Sequence, residues 1–146
     1  MSWFTVKVKY TKHLEDGRIK RVTEPYLLEA ENFTDAETKA HEEVGAMVRG
    51  EFDVVSITRT EFHEIVSDLD ADTWFKCKIT FEDTVDDKPK KINHVYLVSG
   101  ETVKAADARL KDHLKDSMLS FEVQSVVLSS IVDIINESTI NAEVQI

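Results

Sequence analysis

The chain repeats itself, and that constrains its fold more than any other feature. Trp3-Phe4-Thr5-Val6-Lys7-Val8-Lys9-Tyr10 aligns with Trp74-Phe75-Lys76-Cys77-Lys78-Ile79-Thr80-Phe81 at an offset of 71 residues. Lys20-Arg21-Val22-Thr23-Glu24-Pro25-Tyr26-Leu27-Leu28 aligns with Lys90-Lys91-Ile92-Asn93-His94-Val95-Tyr96-Leu97-Val98 at an offset of 70, and Ala36 then falls on Ala106. Phe52-Asp53-Val54-Val55-Ser56-Ile57 aligns with Phe121-Glu122-Val123-Gln124-Ser125-Val126 at 69. Four ordered matches whose offset drifts by one residue at a time identify a duplicated supersecondary unit.

Each copy reads as ββαβ. The first segment alternates apolar and polar residues, the pattern of a half-buried strand. A polar turn follows, Glu15-Asp16-Gly17 in one copy and Glu82 to Asp87 in the other, and Asp16-Gly17 supplies the positive φ of a tight hairpin. The return strand runs from Ile19 to Glu29 and from Lys91 to Ser99, with Pro25 expected at a sheet edge or a bulge because it has no N–H to donate. Thr34-Asp35-Ala36-Glu37 has the capping-box pattern. Ala36, Ala40, Val44 and Met47 or Val48 form one apolar stripe, repeated by Ala106, Leu110, Leu114 and Met118, so each helix is expected to lie on one side of a sheet. Gly50 is the expected stop of the first helix. Phe52 to Val66 and Phe121 to Ile135 are long and rich in β-branched residues, the mark of a central strand, bent or broken in two.

The expected fold class is therefore α+β, an internal duplication of a ββαβ unit with antiparallel sheets, each carrying one packed helix, related by a pseudo-twofold axis. The organisation is residues 1–66 for the first copy, an acidic linker at 67–73, 74–135 for the second copy and a tail at 136–146, with the copies packed together. The tail ends in Ala142-Glu143-Val144-Gln145-Ile146, which reads as a terminal edge strand or a frayed end.

Composition narrows the function. With 18 Lys and Arg against 28 Asp and Glu among 146 residues, the formal charge is −10, which excludes a polycationic nucleic-acid coat but not a local basic patch. There is no apolar run of the ~18 residues a membrane span needs, and the opening residues lack a signal core, so a cytoplasmic protein without membrane contact is expected. A lone Cys77 excludes an internal disulfide and a paired-cysteine metal knuckle; alternation aims it at the core.

The charge is unevenly spread. Residues 1–22 carry six basic against two acidic side chains and residues 74–91 five against four, which leaves −15 on the rest. Trp3, Lys7 and Lys9 share one face of the first strand, as Trp74, Lys76 and Lys78 do in the second copy. A tryptophan beside a lysine row, with Lys20 and Arg21 on the returning strand, suits an anionic ligand such as single-stranded nucleic acid or a nucleotide. The plainer explanation is a row that keeps a hairpin soluble and blunts its edge. Glu24 and His94 occupy equivalent places, each two residues from a tyrosine, Tyr26 or Tyr96. If the copies face each other these four form a polar site, with general acid–base chemistry as one use; otherwise Glu24 turns to solvent at a Pro25 bulge and His94 is a surface residue.

No catalytic residue, metal or cofactor is assigned. His13, His41, His63, His94 and His113 lack metal-ligand spacing, and Gly17, Gly45, Gly50 and Gly100 form no phosphate loop. At Val22-Thr23-Glu24-Pro25-Tyr26-Leu27, together with Trp3-Phe4 and Lys7-Val8, the chain resembles a domain family of unknown function from gut-associated bacteria and their phages, marked by a Val-Thr-Glu signature. The second copy departs from it with Ile92-Asn93-His94, which confines any family role of Glu24 to the first copy. The resemblance brings no activity and implies a phage or mobile-element accessory protein. The function expected is a non-enzymatic binding protein for an anionic ligand. The alternative is an acidic module, a decoy or inhibitor, that binds a basic host protein.

Overall fold

The computed structural model describes residues 1–67 and 72–135. Most of the acidic linker and the tail from Asn136 lie outside the described residues. The elements are β1 (Ser2–His13), β2 (Ile19–Ala30), α1 (Phe33–Met47), β3 (Phe52–Thr60), β4 (Glu64–Val66), β5 (Trp74–Val85), β6 (Lys88–Ser99), α2 (Val103–His113), β7 (Ser120–Leu128) and β8 (Asp133–Ile135). The fold is α+β: two four-stranded sheets, ordered β3-β1-β2-β8 and β4-β6-β5-β7, each with one helix against it.

The long strands of each sheet are antiparallel, in the register alternation demands: Val6 faces Tyr26 and Cys77 faces Tyr96. The fourth strand of each sheet is parallel instead, β8 along Tyr26–Leu28 and β4 along Tyr96–Val98. The third element of each copy is indeed broken in two, and its second piece joins the other copy's hairpin. Two compact units result among the described residues, one of residues 1–60 with 131–135 and one of residues 61–67 with 72–130, offset from the copies seen in sequence.

Local chemistry explains the punctuation. Gly17 sits at φ +85°, and Asp16 accepts from the Arg18 backbone N–H at 3.0 Å, which closes the first hairpin. The second hairpin is tighter than its polar stretch implied. Its strands run to Val85 and Lys88, and Asp86 and Asp87 both adopt positive φ, the two-residue turn that matches strand twist. Pro25 lies just before β8 begins: its carbonyl accepts from Val132 N–H at 2.9 Å, and β8 pairs only from Tyr26 onward. The bulges fall elsewhere, between Lys7 and Val8 against β3 and between Lys78 and Ile79 against β7, so that both outer strands are interrupted at equivalent points.

The helices cap earlier and end earlier than their stripes suggested. Asn32, not Thr34, caps α1, accepting from Asp35 N–H at 2.8 Å, while Asp35 accepts from Glu31 N–H at 3.0 Å. The Asn-x-x-Asp pattern thus takes the capping role two residues before Thr34. Thr102 caps α2 through Ala105 N–H at 3.1 Å. Ala36, Ala40 and Val44 are buried against Phe4, Val6 and Val8; Ala106, Leu110 and Leu114 against Phe75, Cys77 and Ile79. Met118 is 98% exposed, because α2 stops at His113 and the chain turns away before completing the stripe. On the first helix Val48, not the exposed Met47, packs on the core, and Gly50 lies beyond it at φ +88°. Even the ties between helix and sheet repeat: Lys39 Nζ donates to Glu29 O at 3.2 Å, and Arg109 Nε to Ser99 O at 3.0 Å.

Gly100 ends β6 where α2 must fold back over it. A Cβ there would come within 2.8 Å of the Ala106 backbone nitrogen, and main chain cannot yield as a flexible side chain can. Gly100→Ala is expected to cost about 1–3 kcal/mol in denaturant unfolding; a neutral result would show that α2 slides without penalty.

Candidate ligand-binding faces and the polar sites behind them

Alternation along β1 sends Phe4, Val6, Val8 and Tyr10 toward α1 and Trp3, Thr5, Lys7, Lys9 and Thr11 to the opposite, outer face. Cross-strand pairs share a face, so Thr23, opposite Lys9, and Arg21, opposite Thr11, belong to the outer face of unit 1. Lys7 and Lys9 are exposed, and among the described residues their side chains make no ion pair or hydrogen bond. Arg21 is committed differently: it bridges to Asp53 at 3.2 Å and reaches Thr11 at 3.5 Å, which offsets its charge. Lys20 pairs with Lys12 on the opposite face, so it does not join the row. Trp3 is half-buried at the end of the row.

Unit 2 repeats the lysines but not the tryptophan. Lys76 and Lys78 are exposed on the outer face of β5, whereas Trp74 is 3% exposed and offers no ring face for stacking in this structure. Further along the same face Thr80, Glu82, Lys91, Asn93, Glu122 and Gln124 line an open hollow of about 400 Å³. Thr80 donates to Asn93 Oδ1 at 2.9 Å at its floor. Two carboxylates and one ammonium make this hollow less favourable to anions than the Lys7–Lys9 face.

Behind each outer face, on the helix side, sits a polar group. Glu24 lies opposite Val8 and accepts a hydrogen bond from the Tyr10 hydroxyl. Burial, reinforced by the Glu24 hydrogen bond, holds the Tyr10 hydroxyl far above the usual tyrosine range. Tyr26 is raised too, by burial first and then by the negative charge of Glu24. Glu24 is therefore held by its own sheet and is not thrown outward by a bulge at Pro25.

His94 occupies the equivalent place in unit 2, opposite Ile79. Its ring stacks on His63, with centroids 3.7 Å apart and planes 9° from parallel, and the Phe81 ring lies 5.3 Å away. Among the described residues the His94 Nδ1 is buried without a hydrogen-bond partner. Burial, then the neighbouring His63, lowers the His94 pKa. Tyr96 touches the same stack edge-on at 5.3 Å from His63, and burial followed by the Glu64 charge raises its pKa.

The partners of Glu24 and His94 thus lie within their own units. Sequence reading missed Tyr10 and His63. Tyr10 is diagonal to Glu24 once the hairpin register is known, and His63 falls on Val132 in the repeat, so no histidine pair marks its place.

Cys77 is fully buried, and burial pushes its thiol up to about 11, a core residue with little thiolate near neutral pH. Among the described residues no His, Cys, Asp or Glu cluster has the arrangement of a metal site, and no helix is long and apolar enough to cross a membrane. Compared with known protein families, residues 2–137 match a domain described as being of unknown function. No curated protein and no solved structure matches the chain.

Proposed function

The chain belongs to the DUF4494 family, and from that premise we propose that it is a non-enzymatic binding protein whose ligand is anionic, a single-stranded nucleic acid or a nucleotide. The outer face of the β1–β2 hairpin receives it. The observation that carries this reading is the pair Lys7 and Lys9: exposed, two residues apart on one face and without ion-pair partners among the described residues. Surface cations already matched by carboxylates gain little from a ligand, whereas unmatched ones release counterions when phosphate replaces them. Trp3 at the end of the row supplies a stacking surface, and Thr5 and Thr23 supply hydroxyls. Lys76 and Lys78 extend the same chemistry to unit 2, and Arg21 lends a charge already shared with Asp53.

The test is fluorescence anisotropy with a labelled single-stranded oligonucleotide. Lys7→Glu with Lys9→Glu is expected to weaken binding at least about tenfold and to reduce the salt slope by roughly 1.4, two cations at ~0.7 each. Lys12→Glu with Lys20→Glu, on the opposite face, controls for net charge and should leave most of the affinity. Equal affinity in wild type and the Lys7/Lys9 variant would end the proposal.

A second reading, an acidic module engaging a basic host protein, draws on the formal charge of −10. It expects association to slow as salt rises. The setting proposed for both is cytoplasmic. An origin in a phage or mobile element of gut-associated bacteria rests on the resemblance at Val22-Thr23-Glu24 alone.

A further inference from the structure

We infer that the His63–His94 stack is a proton-operated latch on β4. Strand β4 has three residues, lies at one end of its sheet and pairs with β6 from Glu64 to Val66. Its entry is fixed by His63, whose backbone N–H donates to Val95 O at 2.7 Å and whose ring lies flat on His94. Among the described residues β4 is otherwise held by its three-residue ladder with β6, by Val66 on the core and by Glu64 against His113, so the stack at its entry is one of four ties.

Two neutral imidazoles stack favourably, but two imidazolium ions 3.7 Å apart repel. Protonation also makes both ring nitrogens donors, and the His94 Nδ1 is buried where no acceptor among the described residues meets it. The groups facing the pair do not reverse this. Phe81 from β5 is an apolar ring, and Tyr96 from β6 is a neutral hydroxyl held above its ordinary range. Glu64 from β4 is paired at 2.8 Å with His113 Nε2 from α2. That pair is exposed and so is His63, so solvent screens both the pair and the ring–ring repulsion; the pair opposes release, but it does not reach the buried His94 Nδ1.

The direction follows from linkage. With the closed form disfavouring the proton on His94, the open form binds more protons as pH falls through the ordinary histidine range near 6.5. Closure is strongest above that range and weakens as pH falls through it. The other copy contains the natural control. Val132 stands at the His63 position, donates its N–H to Pro25 O at 2.9 Å and leads into β8 with no histidine in the arrangement.

Amide hydrogen exchange on the intact protein, corrected for intrinsic rates, reads the latch. Between about pH 7.5 and about pH 5.5 the protection of His63 and of the β4 amides should fall several-fold relative to Val132 and β8, with a ceiling of about tenfold from His94. His63→Val, which copies Val132, should abolish the difference, and His113→Gln should enlarge the wild-type drop by removing the opposing pair. In the wild type, the His94 ring resonances should titrate below the ordinary histidine range. Equal behaviour of β4 and β8 in the wild type, an undiminished drop in His63→Val, or an ordinary His94 titration would each overturn the latch.

Discussion

Phe4→Ala is expected to remove about 3–5 kcal/mol of unfolding free energy, the largest loss from any single truncation considered. Phe4 is 0% exposed and sits in the core between Val6, Val8 and α1. Its ring meets Phe33 edge-on at 5.0 Å, and the Arg59 guanidinium lies 5.5 Å from its centre. Alanine forfeits the transfer free energy of the ring and leaves a cavity that the surrounding sheet and helix cannot fully close. Against a total stability of about 5–15 kcal/mol, a fifth or more disappears. Phe33→Ala is the contrast: at 51% exposed, Phe33 has less to lose, and a change within about 1 kcal/mol is expected. Urea unfolding of both variants decides the matter, and a Phe4→Ala loss below about 1 kcal/mol would contradict the assigned core.

Raising the pH is expected to unfold the protein in a single step in which its tyrosines ionise together. The chain has three tyrosines, and the fold holds all of them above their ordinary value. Burial is the leading cause each time, with Glu24 beside Tyr10 and Tyr26 and with Glu64 near Tyr96. Cys77 adds to the effect, moving from 9.0 to about 11 through burial and, secondarily, Asp107. An acid whose folded pKa is raised keeps its proton longer in the folded chain, so unfolding releases protons at high pH. Stability is therefore complete below the unfolded values, near 9 and 10, and declines as pH climbs through and beyond them. Cys77 alone accounts for roughly 2–3 kcal/mol of that decline. Tyrosinate absorbance and far-ultraviolet circular dichroism, recorded on one alkaline titration, should change together. A tyrosine that ionises at its ordinary pH while the dichroism is intact would show that its environment differs from the one described.

The duplication was legible because each copy repeats a period-two strand, a capped helix and a β-branched run, each long enough to carry a pattern. The exchange of β4 and β8 was not. Glu64-Ile65-Val66 is too short for periodicity to register, and its partner Tyr96-Leu97-Val98 lies about thirty residues away in sequence. The outer faces were half legible. Alternation placed Lys7 with Lys9 and Lys76 with Lys78, but it also grouped Trp74 with the exposed lysines, since the pattern reports which face a side chain takes and not what covers it. The apolar runs Tyr26-Leu27-Leu28 and Tyr96-Leu97-Val98 hold that missing information: both central leucines are fully buried on the outer side, as three successive apolar residues require when both faces of a strand are covered. The polar sites depended on register, since Tyr10 meets Glu24 only after the hairpin is aligned, and on a strand entry that no motif marks, since His63 reaches His94 through β4.

Because Ile134 and Ile135 finish a sheet whose other strands come from the first sixty residues, the ancestral gene halves have become hostages to one another. A message cut at the repeat boundary would translate into a sheet lacking its fourth strand at Tyr26–Leu28 and a leftover β4 with no β6 to join. Once such crossing was established, selection could no longer discard either half, while the interiors of the two remained free to diverge. Glutamate with tyrosine in one and a pair of histidines in the other are what that freedom has left.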